Sequence, residues 1–293
     1  LRGGGDLVAV ADQDRIDQRV AHRQQGAAQR IGILGRDHRG RHRLQRFGLG
    51  QQRAEDHAEE LRVGVDALAE QRGLMLLCDE IYDQILYDDA EFVPMASLVH
   101  DTVCVTMSGL SKVYRACGYR VGWAVVSGKV SAAQDFLSAL ELLASLRLCS
   151  NVPGQWAVQT ALGGYQSIRE LTRPGGRLFE SRRAIVEAVT ADPSLELATP
   201  KGALYGFVGV NDSIKDFDDE AFALDLLERK HVLVAPGTSF NVPYKNHFRI
   251  TNLPDAAQLR TVFARMSELL AEYRSRPPAP VGRVVDASAR FRG

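Results

Sequence analysis

A continuous apolar run from Leu74 to Cys78 is the feature that most constrains the fold of this chain. A strand that is apolar at every position needs cover on both faces, which is typical of a parallel strand inside an α/β sheet. Two further strands are predicted, at Thr102–Met107 and Val121–Val126, on either side of a loop rich in Gly and Ser. Ligands of open α/β sheets collect beyond the carboxyl ends of the strands, so functional residues are expected in that loop.

The composition is that of a globular protein with no electrostatic preference for a partner. The 293 residues are 45% apolar and carry 36 basic and 36 acidic side chains, which argues against nucleic acid and against a membrane surface as partners. No apolar run reaches transmembrane length, and residues 1–30 lack the apolar centre of a signal peptide. The four cysteines form no C-x-x-C pair and are interpreted as reduced thiols, so a cytoplasmic location is expected.

Four segments are predicted from changes in composition along the chain. Residues 1–62 are an atypical segment rich in Arg, Gln and Gly, predicted to be poorly ordered, and a shifted reading frame is an alternative origin for them. Residues 63–175 are predicted to be part of a large domain, and residues 176–273 a bridging helix with a small α+β domain. Residues 274–293, rich in proline, are predicted to be a disordered tail.

Helical periodicity is clearest after the third strand. The spacing of Ser131 and Gln134 resembles a capping box, and it opens a run with apolar residues at helical intervals. We interpret that helix as core or subunit interface. Further helices are predicted at Gln155–Leu162, from Arg177 to about Thr190, and at Ala257–Tyr273.

Polar residues follow the predicted strands where each of them ends. Asp79 comes directly after the apolar run, either as an exposed turn residue or as an anion aimed at a cationic ligand. Tyr82 can deliver a hydroxyl to the same ligand or can belong to the core. Lys112, the first lysine of the chain, lies in the loop after the second strand.

The same loop carries groups suited to an anion. Ser108 and Ser111 offer hydroxyls, and Arg120 offers a planar fork of donors that fits a phosphate or a carboxylate. An anion, an amine, hydroxyls and a guanidinium at strand ends together match an aldehyde cofactor that carries a phosphate and a basic ring nitrogen.

The sequence at this point resembles the class I/II aminotransferases, pyridoxal-phosphate enzymes of fold type I, and most of all the bacterial alanine-forming glutamate–pyruvate aminotransferases. The resemblance runs from about Val63 to Tyr273. The segments that carry it are Asp79–Tyr82, Ser108–Trp123, Leu143–Cys149, Thr160–Ile168 and His247–Ile250. It implies an α/β fold, the C-terminal part of a fold type I transferase, with an incomplete, mostly parallel sheet, helices on both of its faces, and a small α+β domain.

The resemblance also implies a role for each candidate residue. Lys112 would form the Schiff base with pyridoxal 5'-phosphate and act as general acid and base. Asp79 would pair with the pyridinium nitrogen, and Tyr82 would hydrogen-bond the phenolic oxygen. Arg120 would hold the phosphate, with Ser108 and Ser111 as further contacts.

A second arginine lies far along the chain. Arg249 is flanked by apolar residues in a short predicted strand, and on pattern alone it can simply point to solvent. By resemblance it is the clamp on the α-carboxylate of the substrate. The implied reaction is transamination between an amino acid and a 2-oxo acid, glutamate and pyruvate giving 2-oxoglutarate and alanine, in a homodimer.

The N-terminal half of the family is not recognisable in residues 1–62. No proline precedes Pro94, so the Asn-Pro turn that contacts the cofactor in the family is absent. An incomplete sheet predicts low solubility or dependence on a partner. An inactive fragment or pseudoenzyme therefore stays open as an alternative, as does another fold type I enzyme such as a carbon–sulfur lyase.

Overall fold

The computed structural model describes residues 64–65, 67–147 and 151–275, together with the backbone of three strands that precede them. The poorly ordered segment predicted for residues 1–62 lies outside the described residues apart from those strands, and the tail from residue 276 lies outside them altogether. The chain divides into two compact units. The first extends to Glu180 and takes in Thr199–Leu204, and the second contains Ser181–Ala198 and the residues from Tyr205 onward. The predicted boundary between residues 175 and 176 stays a prediction.

A six-stranded mixed sheet forms the centre of the first unit. The spatial order is β1-β6-β5-β4-β2-β3, with β4 parallel to β5, β1 parallel to β6, and the other three pairs antiparallel. The strands are β1 (Val8–Val10), β2 (Arg30–Arg36), β3 (His42–Phe47), β4 (Met75–Asp79), β5 (Val103–Gly109) and β6 (Gly122–Gly128). The three strands predicted from apolar runs are confirmed as β4, β5 and β6, each within two residues of its predicted ends.

The described helices of the first unit are α1 (67–72), α2 (Gln134–Leu146), α3 (Val152–Gly163) and α4 (Ile168–Thr172). The helix predicted after the third strand and the one predicted at Gln155–Leu162 are confirmed as α2 and α3. The predicted capping box is wrong, because a 3-10 helix over Val130–Ala133 precedes α2, and the residue at its N-cap, Ala133, has no side chain that can accept a hydrogen bond. Gln134 instead donates its side-chain amide back to the Val130 carbonyl at 3.3 Å.

Both cysteines of the central strands are buried free thiols, as the sequence predicts. The sulfurs of Cys78 in β4 and Cys104 in β5 are 3.8 Å apart, and both residues are fully buried. They pack with Leu76, Met95 and Val99 in a cluster on one face of the sheet. Cys117 is an exposed thiol, and the prediction for Cys149 lies outside the described residues.

The second unit is a four-stranded antiparallel sheet covered by helices on one face. The order is β7-β8-β10-β9. Helix α5 (Arg177–Ala191) begins in the first unit and continues into the second from Ser181. The other described elements of the second unit are β7 (Leu195–Leu197), β8 (Tyr205–Val210), α6 (Asp219–Lys230), β9 (Ala235–Pro236), β10 (His247–Thr251) and α7 (Ala256–Ser275). Side chains alternate along β10, and Phe248 and Ile250 point into the core, where Phe248 lies 5.5 Å from the ring of Phe222. Arg249 between them must face the other side of the sheet.

Within the part of the chain that the structure describes, no helix is both long and apolar enough to cross a bilayer.

Two glycines with positive φ allow a matched test of how backbone packing contributes to the stability of the first unit. Gly73 (φ 57°) ends α1 with open space where a Cβ would be, whereas a Cβ on Gly128 (φ 75°) would lie 1.9 Å from the Thr102 carbonyl oxygen. Gly73→Ala should cost about 1 kcal/mol from the left-handed conformation alone. Gly128→Ala should cost about 3 kcal/mol because the backbone must move as well.

Urea unfolding followed by tryptophan fluorescence measures both variants, since Trp123 and Trp156 both belong to the first unit. Equal loss of stability in the two variants would contradict the close backbone approach at Gly128.

Candidate functional site

The parallel pairing of β4 and β5 brings the ends of two strands to the same edge of the sheet. Asp79 at the end of β4 is in register with Met107 of β5, and Ser108 and Gly109 complete β5 one and two residues later. The backbone N–H of Glu80 continues the ladder by donating to the Met107 carbonyl at 2.8 Å. The candidate residues after β4 and those after β5 therefore start from adjacent points of one sheet edge.

Two neighbouring carboxylates at this edge have opposite environments. Glu80 is buried, and its side chain accepts a hydrogen bond of 2.9 Å from the backbone N–H of Met95, which begins a 3-10 helix over Met95–Ser97. Asp79 is exposed, and its contact is a 3.3 Å hydrogen bond from the backbone N–H of Ile81. Glu80 thus stabilises the loop, and Asp79 keeps acceptor capacity for a ligand.

The start of the loop after β5 is fixed by a close approach between two strands. Gly109 faces Gly122 across the β5–β6 pair. A Cβ on Gly109 would lie 2.9 Å from the Val121 carbonyl oxygen, and one on Gly122 would lie 2.8 Å from the Ser108 carbonyl oxygen. Side chains at these positions would push the strands apart, so the two glycines set where the loop leaves the sheet.

Lys112 lies in a tight turn between two buried anchors. Leu110 and Val113 are 1% and 3% exposed, whereas the Lys112 side chain is only partly buried. The Arg115 N–H donates to the Lys112 carbonyl at 3.1 Å and closes the turn. Among the residues that the structure describes, no hydrogen bond or ion pair of the Lys112 ammonium is found. The backbone of this lysine is held while its amine stays available.

Arg120 ends the loop in a left-handed conformation, with φ at 50°. Its Nη1 donates to the Cys117 carbonyl at 2.7 Å and lies 3.5 Å from the Ser111 hydroxyl oxygen. The guanidinium and the Ser111 hydroxyl are therefore adjacent, as an anion site requires, and the carbonyl contact orients the fork. The remaining guanidinium donors are exposed to solvent.

The other two candidates of this unit are placed by the same strands. Tyr82 lies partly buried in the turn after β4, in which the Asp83 N–H donates to the Glu80 carbonyl at 3.1 Å. Ser108 pairs with Trp123 in the β5–β6 register and is partly buried. Asp79, Tyr82, Ser108, Ser111, Lys112 and Arg120 all belong to the first unit, and Arg249 belongs to the second.

Arg249 is held between two aromatic rings. Its guanidinium carbon lies 4.4 Å from the centre of the Tyr205 ring and 4.6 Å from that of Phe240. Tyr205 belongs to β8, the neighbour of β10, and Phe240 ends a 3-10 helix that follows β9. Contact with two ring faces stabilises the cation and restricts it, and leaves its edge free to donate in plane.

The aromatic set extends along the same face of the sheet. The ring centre of Phe207 lies 5.9 Å from that of Phe240 and stacks on the His247 ring at 5.1 Å. The Tyr244 ring also contacts His247, at 4.6 Å between ring centres. Burial among these rings lowers the pKa of His247 below its usual range. The neutral imidazole is thus favoured beside the Arg249 cation.

Sequence reasoning missed these partners of the candidate residues. Tyr205 and Phe240 lie far from Arg249 along the chain, so no local pattern joins the three. Tyr205 could have been predicted if the antiparallel pairing of β8 with β10 had been assumed. In that pairing Tyr205 and Arg249 lie on the same face of the sheet.

Comparison with known proteins agrees with this geometry. Residues 60–266 match the family described as aminotransferase class I and II. The chain belongs to the class I and II aminotransferase family.

Two relatives within the family show how far the match extends. The chain is 43% identical over 220 residues to the glutamate-pyruvate aminotransferase AlaA of Escherichia coli K12, a match covering 74% of this chain and 54% of that protein. It is 45% identical over 208 residues to the alanine aminotransferase of Mycobacterium tuberculosis H37Rv, covering 71% and 48%. The chain thus spans about half the length of the relatives it matches.

Solved aminotransferase structures share the fold. A crystal structure of an aminotransferase from Escherichia coli superimposes with a TM-score of 0.71 at 43% identity, covering 74% of this chain and 54% of that one. The alanine aminotransferase of Pyrococcus furiosus gives a TM-score of 0.68 at 29% identity, covering 73% and 53%. The expected fold, the C-terminal part of a fold type I aminotransferase with partial sheets, is confirmed. The described large sheet is mixed rather than mostly parallel as predicted, because β2 and β6 run antiparallel to their neighbours β4 and β5.

The contrast between Asp79 and Glu80 predicts different effects of two adjacent substitutions. Glu80→Ala leaves the Met95 N–H buried without a partner and should lower the free energy of unfolding by about 1–3 kcal/mol. Asp79→Ala removes an exposed group and should change it by about 0.5 kcal/mol or less. Urea unfolding of both variants checks this, and a larger loss in Asp79→Ala would contradict the roles given to the two carboxylates.

Proposed function

We propose that this chain carries the lysine-bearing part of the active site of a pyridoxal-phosphate-dependent aminotransferase that exchanges an amino group between glutamate and pyruvate. The observation that supports the proposal is the parallel pairing of β4 and β5, from which the Asp79 turn and the Lys112 loop both start at one sheet edge. The names of two relatives, a glutamate-pyruvate aminotransferase and an alanine aminotransferase, support the choice of substrates.

The donor set of the loop fits the cofactor. An exposed carboxylate, an amine held on a fixed turn, and a guanidinium 3.5 Å from a hydroxyl are the partners that a cationic ring nitrogen, an aldehyde and a phosphate need. When bound, pyridoxal phosphate supplies the aldehyde that joins amines and the ring that accepts electrons from the substrate's α-carbon.

Each side chain in the first unit has a defined task in this proposal. The Lys112 amine would hold the cofactor aldehyde, and its Nζ would take and return a proton as general base and acid. The Asp79 carboxylate accepts the ring N–H and keeps that nitrogen protonated. Arg120 binds the phosphate together with Ser111, and Ser108 is a further phosphate contact. Tyr82 donates its hydroxyl to the phenolic oxygen.

Arg249 is the proposed clamp on the substrate's α-carboxylate. A carboxylate accepts two parallel N–H bonds from the edge of a guanidinium, and the aromatic sandwich on Arg249 leaves that edge available. Tyr205 and Phe240 limit the rotation of the group, so less entropy is lost when the substrate binds. They are proposed as positioning residues for Arg249.

A second polypeptide is part of the proposal. Helices α2 and α3 expose several large apolar side chains, among them Leu143, Leu146 and Trp156 at 63%, 73% and 69%. Exposed apolar groups on neighbouring helices are typical of an interface. They support a homodimer, which the family resemblance also implies.

Covalent attachment of pyridoxal phosphate tests the role proposed for Lys112. The chain is incubated with pyridoxal phosphate, reduced with borohydride and mapped by peptide mass spectrometry. The modification is expected on the peptide that contains Lys112, and Lys112→Ala should abolish it. Lys129→Ala, an exposed lysine of the same unit, is the matched control and should leave the modification unchanged.

A folded chain with no modification of Lys112 would overturn the proposal and favour the alternative of an inactive fragment. Elimination of sulfide from cysteine in place of amino transfer would favour the carbon–sulfur lyase.

Replacing the clamp should affect substrate selection rather than folding. Arg249→Lys keeps the charge but loses the bidentate fork, and we expect kcat/KM for glutamate to fall by about 10²-fold. Arg260→Lys, on the exposed face of α7, should change it less than twofold. Steady-state kinetics with glutamate and pyruvate measures both variants. An unchanged kcat/KM in Arg249→Lys would assign carboxylate recognition elsewhere.

A further inference from the structure

A fully buried aspartate lies at the start of α6. Asp219 is 0% exposed, and its Oδ2 accepts a hydrogen bond of 2.7 Å from the backbone N–H of Thr238. Its other carboxylate oxygen, Oδ1, is also buried and has no hydrogen-bond partner within the part of the chain that the structure describes. Burial of a carboxylate with one unpaired oxygen costs free energy, and the bond to Thr238 is the contact that this cost maintains.

Helix α6 does not need this carboxylate as a cap. Asp218 is the N-cap residue, and its Oδ1 accepts the Ala221 N–H at 2.9 Å. Glu220 places a further, exposed acid in the first turn, where negative charge is favourable. The Asp219 carboxylate instead binds the backbone of a separate element, the 3-10 helix over Gly237–Phe240.

That 3-10 helix is held in place at its first two residues. Gly237 packs directly against β10, because a Cβ on it would lie 2.6 Å from the His247 carbonyl oxygen. Thr238 is held by α6, through its N–H on Asp219 and through its hydroxyl, which donates to the Glu220 carboxylate at 3.2 Å. The start of the 3-10 helix is thereby attached both to the strand that carries Arg249 and to α6.

The last residue of the same 3-10 helix is Phe240, one of the two rings that contact Arg249. The centre of its ring lies 4.6 Å from the Arg249 guanidinium carbon, and the ring meets that of Phe207 edge-on. Phe240 follows Thr238 by only two residues in this four-residue helix. The placement of the Thr238 backbone therefore determines where the Phe240 ring lies over the guanidinium.

We propose that Asp219 is a positioning residue for Arg249 and acts through Thr238 and Phe240. Its carboxylate holds the 3-10 helix so that the Phe240 ring keeps the guanidinium edge in the orientation that a substrate carboxylate needs. Among the described residues, no hydrogen bond or ion pair joins Asp219 to Arg249 directly, so the effect passes through the 3-10 helix. The role rests on the proposed function for its consequence, since carboxylate binding by Arg249 belongs to that proposal.

NMR of the Arg249 Nε–H in the full chain measures this positioning directly. Protons over the face of an aromatic ring are shifted upfield, so the signal reports where the Phe240 ring lies. We expect Asp219→Ala to move the signal towards that of a solvent-exposed arginine, and Phe240→Leu to move it the same way. Asp219→Asn keeps an oxygen that accepts the Thr238 N–H and should retain most of the wild-type shift.

The matched control is the neighbouring acid. Asp218→Asn changes the charge at the same helix end but keeps a side-chain oxygen that caps α6, and it should leave the Arg249 signal unchanged. An Arg249 signal that moves equally in Asp218→Asn and Asp219→Ala would overturn the proposal, because a general effect of the helix end would then explain the shift.

A double variant tests whether the effect passes through Phe240. The Kd of glutamate, followed by the same Arg249 signal, should rise about tenfold in Asp219→Ala, because the guanidinium is no longer held before the ligand binds. In the Phe240→Leu background the same substitution should add less than about twofold, since the ring through which it acts is gone. Independent, multiplicative effects of the two substitutions would overturn the proposal.

Steady-state kinetics with glutamate and pyruvate separates positioning from loss of structure. Asp219→Ala should raise KM for glutamate about tenfold and leave kcat within about twofold, because carboxylate binding is weakened equally in the ground state and the transition state. A lower kcat at unchanged KM would mean a smaller fraction of folded enzyme and would contradict the positioning role.

The wild-type chain provides a test that does not depend on the folding of Asp219→Ala. The Thr238 N–H is bonded to a buried carboxylate, so it should exchange with solvent at least about 10²-fold more slowly than an unstructured amide. Exchange at the rate of an exposed loop would overturn the proposal, as would an Arg249 signal that does not move in Phe240→Leu.

The same measurements distinguish this proposal from the proposed function. An Arg249 signal that responds to Asp219→Ala in a chain that transfers no amino group would refute the function and support the positioning role. Amino transfer with an Arg249 signal and a KM that are both unchanged in Asp219→Ala would refute the positioning role alone.

Discussion

The parallel pairing of β4 with β5 is the interaction on which the first unit and its candidate site depend. Because the two strands run the same way, the residues after each of them begin at one sheet edge, with Asp79 in register with Met107. The Glu80 N–H extends that ladder by one further bond and fixes the direction of the turn that follows. An antiparallel pair would send the Asp79 turn and the Lys112 loop to opposite edges.

Around the candidate site, packing holds the backbone in place while the functional side chains stay accessible. Buried anchors and close strand contacts hold the main chain at Leu110, Val113 and the Gly109–Gly122 pair, while the Asp79 carboxylate and the Lys112 amine stay accessible. In the second unit, too, the backbone is held by packing and the charged side chain keeps donors for a ligand. One face of its sheet packs in the core, and the opposite face holds the Arg249 cation between aromatic rings. Within the described residues, no carboxylate pairs with the Lys112 ammonium or with the Arg249 guanidinium.

Local pattern predicted the elements better than it predicted their ends and contacts. The apolar runs gave β4, β5 and β6 because a strand buried on both faces needs apolar residues throughout. The capping box predicted at Ser131 is wrong because residues Val130–Ala133 form a 3-10 helix instead. Short 3-10 turns are common at the ends of α-helices, and the local sequence did not distinguish the two geometries. The candidate residues at the strand ends were predicted from their chemistry and from family resemblance.

The sequence by itself determined which segments form strands, which loop carries the amine and the guanidinium, and which family the chain resembles, because these depend on periodicity and on residue type. Only the tertiary structure decided that Glu80 is structural whereas Asp79 is accessible, and that Tyr205 and Phe240 enclose Arg249. The reason is that burial and distance between side chains arise from the pairing of distant strands. Asp79 and Glu80 are equivalent acids in the sequence. They differ only in the folded structure, where Glu80 is buried and accepts the Met95 N–H while Asp79 stays exposed.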